Sequence, residues 1–271
     1  MSAVLQRITA DPRVMPLTAR VICARLVRET PRFLAGELLR PPGIHVYRLR
    51  APDVRVAVRH RSFDAATLAE VFRNGWYAPP PAVAERISQA RTILDLGANV
   101  GMFGAFAVTR WPAAEVVAYE PDPANATVHE RAIAANGLQA RWRLVRAAAG
   151  ARDGEVGFAA GHGASSHLAG VPGAGSAAAT IAVPIEDVLG LVAAADLVKM
   201  DIEGGEWEIL LDPRFAAAPP RALVLDYHAA GCPTDDPGGA ALAALAAAGM
   251  HTQQLWHDAA SGVGMAWAWR P

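Results

Sequence analysis

The chain is poor in cysteine and has almost no lysine. Its 271 residues include two cysteines, Cys23 and Cys232, which show no metal-binding spacing and give little support for a disulfide framework. Lys199 is the single lysine among 25 basic residues. No apolar run approaches the roughly 18 residues that a membrane span needs, and arginines interrupt the N-terminal apolar residues where a secretion signal would be continuous. We therefore expect a cytoplasmic protein that does not enter a membrane.

The net charge of −1 is unevenly distributed along the chain. Residues 1–61 carry 12 arginines against 4 acids, whereas residues 62–271 carry 13 basic and 22 acidic residues. A basic arm can indicate an anionic partner. Here the arginines are scattered and form no stripe or recognised motif. We therefore expect the arm to pack on the body, contact another copy in a homo-oligomer or guide an acceptor molecule, and not to bind nucleic acid.

Helix and strand patterns alternate along most of the chain. A helix at 14–28, a β-hairpin at 44–60 and a helix from 62 precede the break "GWYAPPPA", which predicts an N-terminal extension at 1–78 and a main domain at 79–271. The main domain then has strands "TILDLGA", "EVVAYEP", "ARWRLVRAA", "DLVKMD" and "ALVLDYH", with helices between them and a further short helix at "IEDVLGLV". This α/β alternation predicts a mostly parallel sheet covered on both faces. The closing strands "HTQQLWH" and "GVGMAWAWRP" leave no room for a crossover helix and must be antiparallel.

A glycine loop follows the first strand of the main domain. In "DLGANVG", Asp95, Gly97, Asn99 and Gly101 lie at the sheet edge where α/β proteins bind ligands. Glycine allows a sharp turn and close approach of the backbone to a ligand, and Asp95 can either bind a ligand amine or hold the loop. The GxxxG spacing lacks the third glycine of the NAD fingerprint. It therefore favours a cofactor without a pyrophosphate.

The second strand ends in "YEPDP", which places Glu120 25 residues after Asp95. A carboxylate at this position can accept hydrogen bonds from both hydroxyls of a ribose, or it can cap the helix that follows. Pro121 and Asp122 complete the predicted cofactor-binding segment. Asp122 lies either near an adenine edge or at the helix N-terminus as its cap.

Acids gather after the fourth strand, in "LVKMDIEGGEWEIL". Asp201 ends the strand, Glu203 lies in the turn, and Glu206 begins the next helix, where the helix dipole favours an acid. His228 ends the fifth strand at the same edge. We expect these four candidate catalytic residues to surround a reacting hydroxyl, with one of them as general base. Two of the carboxylates can alternatively hold a divalent cation, Mg or Mn, although no residue is assigned as a dedicated metal ligand.

Two neighbouring features have plainer interpretations. Lys199 is expected to form a buried ion pair that holds the strand end, and Glu206 can act simply as a helix cap. The glycine-rich loop at 158–178, with Ser165 and Ser166, is predicted to cover the site. The loop and the extension are the expected sources of acceptor contacts.

The motifs "DLGANVG", "YEPDP", "LVKMDIEGGEWEIL" and "VLDYH" together resemble those of FkbM-type S-adenosylmethionine-dependent methyltransferases, over about residues 60–230. "KMDIEGGE" is the specific part of the resemblance. The resemblance implies a class I methyltransferase fold, S-adenosylmethionine as cofactor, and O-methylation of a small-molecule hydroxyl on a sugar or natural product. In one departure, the fifth strand ends in Asp226-Tyr227-His228, where the family commonly has Glu-x-His.

Three other functions remain as alternatives at this point. An NAD-linked oxidoreductase is opposed by the glycine spacing and by the antiparallel end of the sheet. A nucleic-acid methyltransferase that modifies amino groups would carry an Asn/Asp-Pro-Pro-aromatic tetrad, and "DIEG" is not one. A cofactor-binding module without catalysis is opposed by the complete set of acids and His228.

Overall fold

The computed structural model describes residues 17–39, 43–60, 62–159, 167–168 and 180–271. The first 16 residues of the basic arm and most of the predicted covering loop, including Ser165 and Ser166, lie outside these ranges. The helices are α1 (Leu17–Leu26), α2 (Thr30–Leu39), α3 (Asp64–Phe72), α4 (Pro81–Arg86), α5 (Met102–Arg110), α6 (Pro123–Asn136), α7 (Leu189–Ala194), α8 (Glu206–Leu210), α9 (Pro213–Ala217) and α10 (Pro237–Ala247). None of these described helices combines the length and the apolar character that a bilayer crossing requires.

The strands form one large sheet, a smaller sheet and a hairpin. They are β1 (Ile44–Arg48), β2 (Arg55–Arg59), β3 (Thr92–Leu96), β4 (Glu115–Tyr119), β5 (Trp142–Val145), β6 (Ala148–Gly150), β7 (Gly154–Ala159), β8 (His167–Leu168), β9 (Thr180–Asp187), β10 (Leu197–Met200), β11 (Ala222–Tyr227), β12 (His251–Asp258) and β13 (Val263–Trp269). The large sheet has the order β12-β13-β11-β10-β3-β4-β5, and the small one β6-β9-β7-β8.

The large sheet confirms the predicted α/β class. Strands β11, β10, β3, β4 and β5 are parallel, and β13 runs antiparallel to both β11 and β12. Every residue of β10 and β11 is buried, as expected for central strands with both faces covered. Because β10, β3 and β4 are neighbours, the segments that follow them meet at one edge of the sheet.

Some predicted elements were wrong in detail. The stretch "ARWRLVRAA" divides into β5 of the large sheet and β6 of the small one. Residues 185–187 of "IEDVLGLV" belong to β9, which pairs with β6 and β7, so the helix begins only at Leu189. Helices α2, α4 and α9 were not predicted. In α2 the apolar pattern is masked because Glu37, an acid, lies on the buried face.

Burial of Glu37 is balanced by a hydrogen-bonded chain of side chains. Its Oε1 lies 2.7 Å from Nδ1 of His60, whose Nε2 lies 2.7 Å from the hydroxyl of Tyr47. All three residues are buried. Partnered polar groups cost far less to bury than unpartnered ones, so this chain allows α2 to pack against the β1–β2 hairpin.

The hairpin is fastened to helix α6 of the main domain by polar contacts. The Asn136 side chain accepts a hydrogen bond from the backbone N–H of Arg55 (2.8 Å) and donates one to its carbonyl (2.7 Å). The Arg59 guanidinium donates to Asp64 (2.9 Å) and to Asn125 (2.8 Å). These contacts fix the extension relative to the sheet.

A single hydrophobic core crosses the predicted boundary between extension and main domain. Phe33 and Val56 of the extension belong to the same buried cluster as Ile93, Val224 and Trp267 of the large sheet. The division between residues 78 and 79 stays a prediction about sequence organisation. The shared core indicates that the two parts stabilise each other.

We expect Phe33→Ala to destabilise the whole chain in one transition. Phe33 is fully buried, with its ring 5.1 Å from that of Tyr47, and such truncations cost about 3–5 kcal/mol. The free energy of unfolding would be measured in denaturant by circular dichroism and tryptophan fluorescence. Leu39→Ala, at a side chain that is 83% exposed, is the control and should change stability by no more than about 0.5 kcal/mol. Separate transitions for extension and sheet would contradict the shared core.

Candidate active site

A cavity of about 470 Å³ opens at the carboxyl ends of β3, β4, β10 and β11. The glycine loop and the strand ends form its floor, and residues 63–77 of the extension form one wall. This is the edge at which the sequence predicted a ligand. Of the predicted site residues, those that line the cavity are Gly97, Asn99, Glu120, Pro121, Asp201, Glu203 and His228.

The glycine loop is held in a strained, closely packed conformation. Gly97 has φ +75°, and a Cβ added there would lie 1.8 Å from the carbonyl oxygen of Asp201. Asn99 has φ +50°, which is uncommon for a residue with a side chain. Gly101 also has a positive φ, and a Cβ there would meet the ring of His129 at 2.4 Å. Two of the predicted glycines are therefore required by backbone conformation and by space together.

Glu120 directly follows β4 and connects this strand to the glycine loop. Its Oε2 accepts a hydrogen bond from the backbone N–H of Asn99 (2.7 Å), and its Oε1 accepts one from the N–H of Asp122 (2.8 Å). Burial raises the pKa of Glu120 to about 7, although these two amides oppose the shift. A carboxylate oxygen has further acceptor capacity beyond one hydrogen bond. Glu120 is thus fixed in position at the cavity wall and can still accept hydrogen bonds from a ligand.

Asp122 has a structural position at the start of α6. Its Oδ1 accepts hydrogen bonds from the N–H groups of Ala124 (2.8 Å) and Asn125 (3.4 Å), which makes it the N-cap of the helix. The residue is not part of the cavity lining. Of its two predicted positions, the structure therefore favours the helix cap over the adenine edge.

Lys199 lies directly under the glycine loop. Its ammonium donates hydrogen bonds to the carbonyls of Gly97 (2.6 Å) and Leu96 (3.3 Å). It lies 3.6 Å from a carboxylate oxygen of Asp95 and 3.6 Å from one of Asp201. Burial opposes the charge on Lys199, but these acids outweigh burial and raise its pKa. Lys199 thus has the ion-pairing position that the sequence predicted.

Asp95 is fully buried beneath the loop. It does not line the cavity. Burial raises its pKa to about 6, although the charge of Lys199 opposes this shift. Of the two predicted roles for Asp95, the structure favours holding the loop over binding a ligand amine.

Three candidate catalytic side chains come together at the cavity edge below β10 and β11. His228 Nε2 lies 3.4 Å from a Glu203 oxygen and 4.0 Å from an Asp201 oxygen. Asp201 and Glu203 are each 26% exposed at the side chain, so both can reach a ligand. Glu203 has φ +53°, and a strained backbone of this kind is often found at functional sites.

The fourth candidate, Glu206, lies behind His228 and not in the cavity. Its Oε1 accepts a hydrogen bond from the backbone N–H of His228 (2.7 Å) and lies 3.0 Å from Nδ1 of the ring. Its Oε2 accepts a hydrogen bond from Gly204 N–H (2.8 Å), and the side chain is fully buried. The expectation that all four residues surround the reacting group was therefore wrong for Glu206. It orients the imidazole because its position at the buried start of α8 faces the end of β11.

The surrounding acids determine the protonation of His228. Burial lowers the pKa of the ring, but the charges of Glu206, Glu203 and Asp201 outweigh burial and raise it to about 10. These acids therefore favour the protonated imidazole in the ligand-free protein.

Sequence analysis did not identify several residues of the cavity lining. Asp226, which the sequence analysis named only as a departure from the family's Glu-x-His, is 6% exposed and lies two residues before His228 at the cavity. The wall from the extension contains Phe63, Glu70, Trp76 and Tyr77. The Asp-x-His motif was the available signal for Asp226, whereas no signal separated the wall residues from ordinary surface or core positions, because the extension carries no recognised motif.

The parallel sheet with a reversed β13, the glycine loop and the carboxylate after the second strand define the class I methyltransferases. A family model described as "Methyltransferase FkbM domain" matches residues 95–230. The chain belongs to this family of S-adenosylmethionine-dependent methyltransferases, and this membership opposes the NAD-linked alternative. A search of curated proteins gave no match.

Several solved structures are similar to this chain at low sequence identity. A methyltransferase FkbM from Methylobacillus flagellatus KT is 15% identical, with a TM-score of 0.46 over 93% of this chain and 58% of that one. The O-methyltransferase TomG from Streptomyces achromogenes, solved in complex with SAM, is 16% identical, with a TM-score of 0.42 over 70% of this chain and 76% of that one. A precorrin-6y C5,15-methyltransferase from Geobacter metallireducens GS-15 is 14% identical, with a TM-score of 0.42 over 70% and 86% of the two chains.

We expect Gly97→Ala to disrupt the site far more than the same change at another positive-φ glycine. At Gly97 the new Cβ would collide with the Asp201 carbonyl, whereas at Gly137, with φ +65°, it would meet nothing within 4 Å. Gly137→Ala should therefore cost only the left-handed backbone penalty of about 1–2 kcal/mol. Gly97→Ala should cost about 3 kcal/mol or more, because overpacking adds to that penalty. Thermal and denaturant unfolding would compare them, and equal losses would contradict the close approach of the loop to Asp201.

Proposed function

We propose that this protein transfers the methyl group of S-adenosylmethionine to a hydroxyl of a small molecule, a sugar or a natural product. The observation that carries the proposal is the group formed by Asp201, Glu203 and His228 at the cavity edge. Glu206 contacts the His228 ring on the side away from the cavity. An alcohol is a weak nucleophile and must lose its proton during transfer. The group supplies two carboxylates at the place where that proton would be removed.

The cofactor end of the cavity supports a ribosyl ligand. Glu120 accepts one hydrogen bond at each oxygen from the backbone and faces the cavity. Its remaining lone pairs would accept the two ribose hydroxyls of the cofactor, and the loop from Gly97 to Gly101 would lie against the nucleoside. When bound, the cofactor supplies the electrophilic methyl group. Asp95 and Asp122, which do not line the cavity, are excluded from direct contact in this proposal.

The residues at the other end would handle the acceptor. Asp201 or Glu203 would take the hydroxyl proton as general base, an effect typically worth roughly 10²- to 10⁴-fold in rate. Protonated His228 would hold the two carboxylates in place through charge. Aromatic side chains of the extension wall, Trp76 among them, would pack on the acceptor and exclude water. Holding acceptor and methyl group in line lowers the barrier further.

A divalent cation is a second way of removing the proton. Asp201, Glu203 and His228 each offer one ligand atom, and these atoms lie within 4.8 Å of one another. The two carboxylates suit Mg²⁺ or Mn²⁺, whereas the imidazole is a ligand that suits Zn²⁺ and Fe²⁺ better. The contact between Nδ1 of His228 and the Glu206 carboxylate is of the kind that orients metal-binding histidines in other proteins.

We expect Glu120→Gln to weaken cofactor binding at least about tenfold, because hydrogen bonds to a charged group are worth roughly 1.5–3 kcal/mol. The dissociation constant of S-adenosylhomocysteine would be measured by calorimetry. Asp122→Asn is the matched control, since asparagine also caps helices well and Asp122 is outside the cavity. Equal weakening in both variants would show that the loop, and not a ribose contact, determines affinity. If wild-type protein is stabilised by NAD and not by S-adenosylhomocysteine, the proposed function itself fails.

We expect Asp201→Asn to lower turnover by roughly 10²-fold or more, with S-adenosylhomocysteine affinity unchanged within a few-fold. Methyl transfer from labelled S-adenosylmethionine to a panel of hydroxyl compounds would be measured with and without a chelator. Glu208→Gln is the control, because Glu208 lies in the same motif but pairs with Arg152 outside the cavity. Loss of activity on chelation and recovery with Mg²⁺ or Mn²⁺ would select the cation route. Insensitivity to chelation would select the direct base, and full activity in Asp201→Asn would refute both.

A further inference from the structure

The His228 side chain lies beyond the hydrogen-bonded part of the large sheet. The last paired residues of β10 and β11 are Met200 and Leu225, so Asp201 and His228 both follow the end of that ladder. The pairing of β11 with β13 also ends before His228, at Tyr227. Strand pairing therefore does not fix the distance between the acids after β10 and the histidine after β11. Other contacts have to hold it, because a functional site keeps its side chains within about 0.5 Å of the working arrangement.

Trp207 supplies one of these contacts. Its indole Nε1–H donates a hydrogen bond to the carbonyl of His228 (2.9 Å) and to that of Ala230 (3.0 Å). Trp207 is 3% exposed, and an indole N–H can only donate. Its hydrogen bond to the His228 carbonyl is buried, where a carbonyl without a donor would cost free energy. Trp207 therefore holds the chain on the C-terminal side of His228.

The residue before Trp207 holds the other side of His228. Glu206 accepts a hydrogen bond from the His228 backbone N–H (2.7 Å) and lies 3.0 Å from Nδ1 of its ring. Consecutive residues at the start of α8 thus bind both the N–H and the carbonyl of His228. Gly205 is the N-cap of α8, so this helix begins directly after the turn at 201–204 that carries the exposed acids. The acids and the histidine, which follow different strands, are therefore joined by the first two residues of one short helix.

We propose that Trp207 is a positioning residue that holds the His228 ring against the cavity acids through the two carbonyls. Without the indole N–H both carbonyls lose this donor, and the chain after β11 can shift. The ring would then move relative to Glu203, whose carboxylate lies 3.4 Å from Nε2. Trp207 does not line the cavity, so it acts on the reaction through His228. The kinetic consequence rests on the proposed function, in which His228 holds the two carboxylates or a cation.

Turnover of wild type, Trp207→Phe, His228→Ala and the double variant distinguishes positioning from a purely structural role. Methyl transfer from labelled S-adenosylmethionine would be measured with the compound of the hydroxyl panel that wild type methylates fastest. Trp207→Phe should lower kcat about tenfold, because small displacements at a reacting centre are costly, and should leave KM for S-adenosylmethionine within about twofold. In the His228→Ala background the same change should lower kcat by less than about twofold, since its effect passes through the ring that is already removed.

Trp111→Phe is the matched control for removal of an indole. Trp111 is 2% exposed and caps the end of α5, and its Nε1 has no hydrogen-bond partner within the described residues. This variant should keep the kcat of wild type. The inference is overturned by an unchanged kcat in Trp207→Phe, by an equal loss in Trp111→Phe, or by losses from Trp207→Phe and His228→Ala that multiply in the double variant.

The position of His228 in crystals separates this inference from the proposed function. If wild type methylates no compound of the panel, the proposed function fails, and crystal structures of wild type and Trp207→Phe decide on the positioning role. A shift of His228 Nε2 relative to the Glu203 carboxylate by more than about 0.5 Å supports that role, and a smaller shift overturns it. If Trp207→Phe does not fold, 3-benzothienylalanine at position 207 takes its place in each comparison, because it replaces the indole N–H by sulfur in a ring of nearly the same shape.

Discussion

The ammonium group of Lys199 is the interaction on which the site depends. It donates hydrogen bonds to the Gly97 and Leu96 carbonyls and lies between the carboxylates of Asp95 and Asp201. It thereby joins the end of β3, the glycine loop and the end of β10 through one buried charge. A buried ion pair adds little to net stability, but removal of one partner leaves an uncompensated charge in the interior. The arrangement thus fixes geometry more than it stabilises the fold, and the compact ammonium of lysine differs in shape from the planar guanidinium that the rest of the chain uses.

The same edge concentrates negative charge, and the fold holds that charge in two layers. Glu206 and Asp95 lie below the surface, where they bind His228 and Lys199. Asp201 and Glu203 lie above them and are partly exposed to the cavity. The buried layer fixes the cationic side chains, and those in turn position the exposed acids. The buried cations offset the repulsion between the acids at the strand ends. The cavity acids can therefore face a cationic sulfonium in the proposed complex.

Much of this could be predicted from the sequence, because local patterns carried it. The alternation of strands and helices gave the parallel sheet, and the short closing segments required antiparallel β12 and β13. Residues directly after the strands, such as Glu120 and Asp201, could be placed because sheet geometry brings those ends together. The depth of a side chain could not be predicted: residue type and spacing did not separate the buried Glu206 and Asp95 from the partly exposed Glu203 and Asp201. The direction of these side chains is set by tertiary packing. The same is true of Glu37, whose burial could not be foreseen and interrupted the apolar pattern that would have predicted α2.

The wall formed by residues 63–77 has a consequence for how the protein can diversify. This wall is carried by the extension, yet its helices and hairpin share one core with the sheet. A shortened chain beginning at residue 79 would not be a smaller enzyme, because it would expose the apolar faces of α5 and α6 and leave the cavity open on one side. If the wall contacts the acceptor as proposed, changes in acceptor preference would instead arise by substitution on its inner surface, at positions such as Phe63 and Trp76, while its outer contacts stay constant. Under the proposed function, selectivity and folding would therefore be encoded on opposite faces of the same segment.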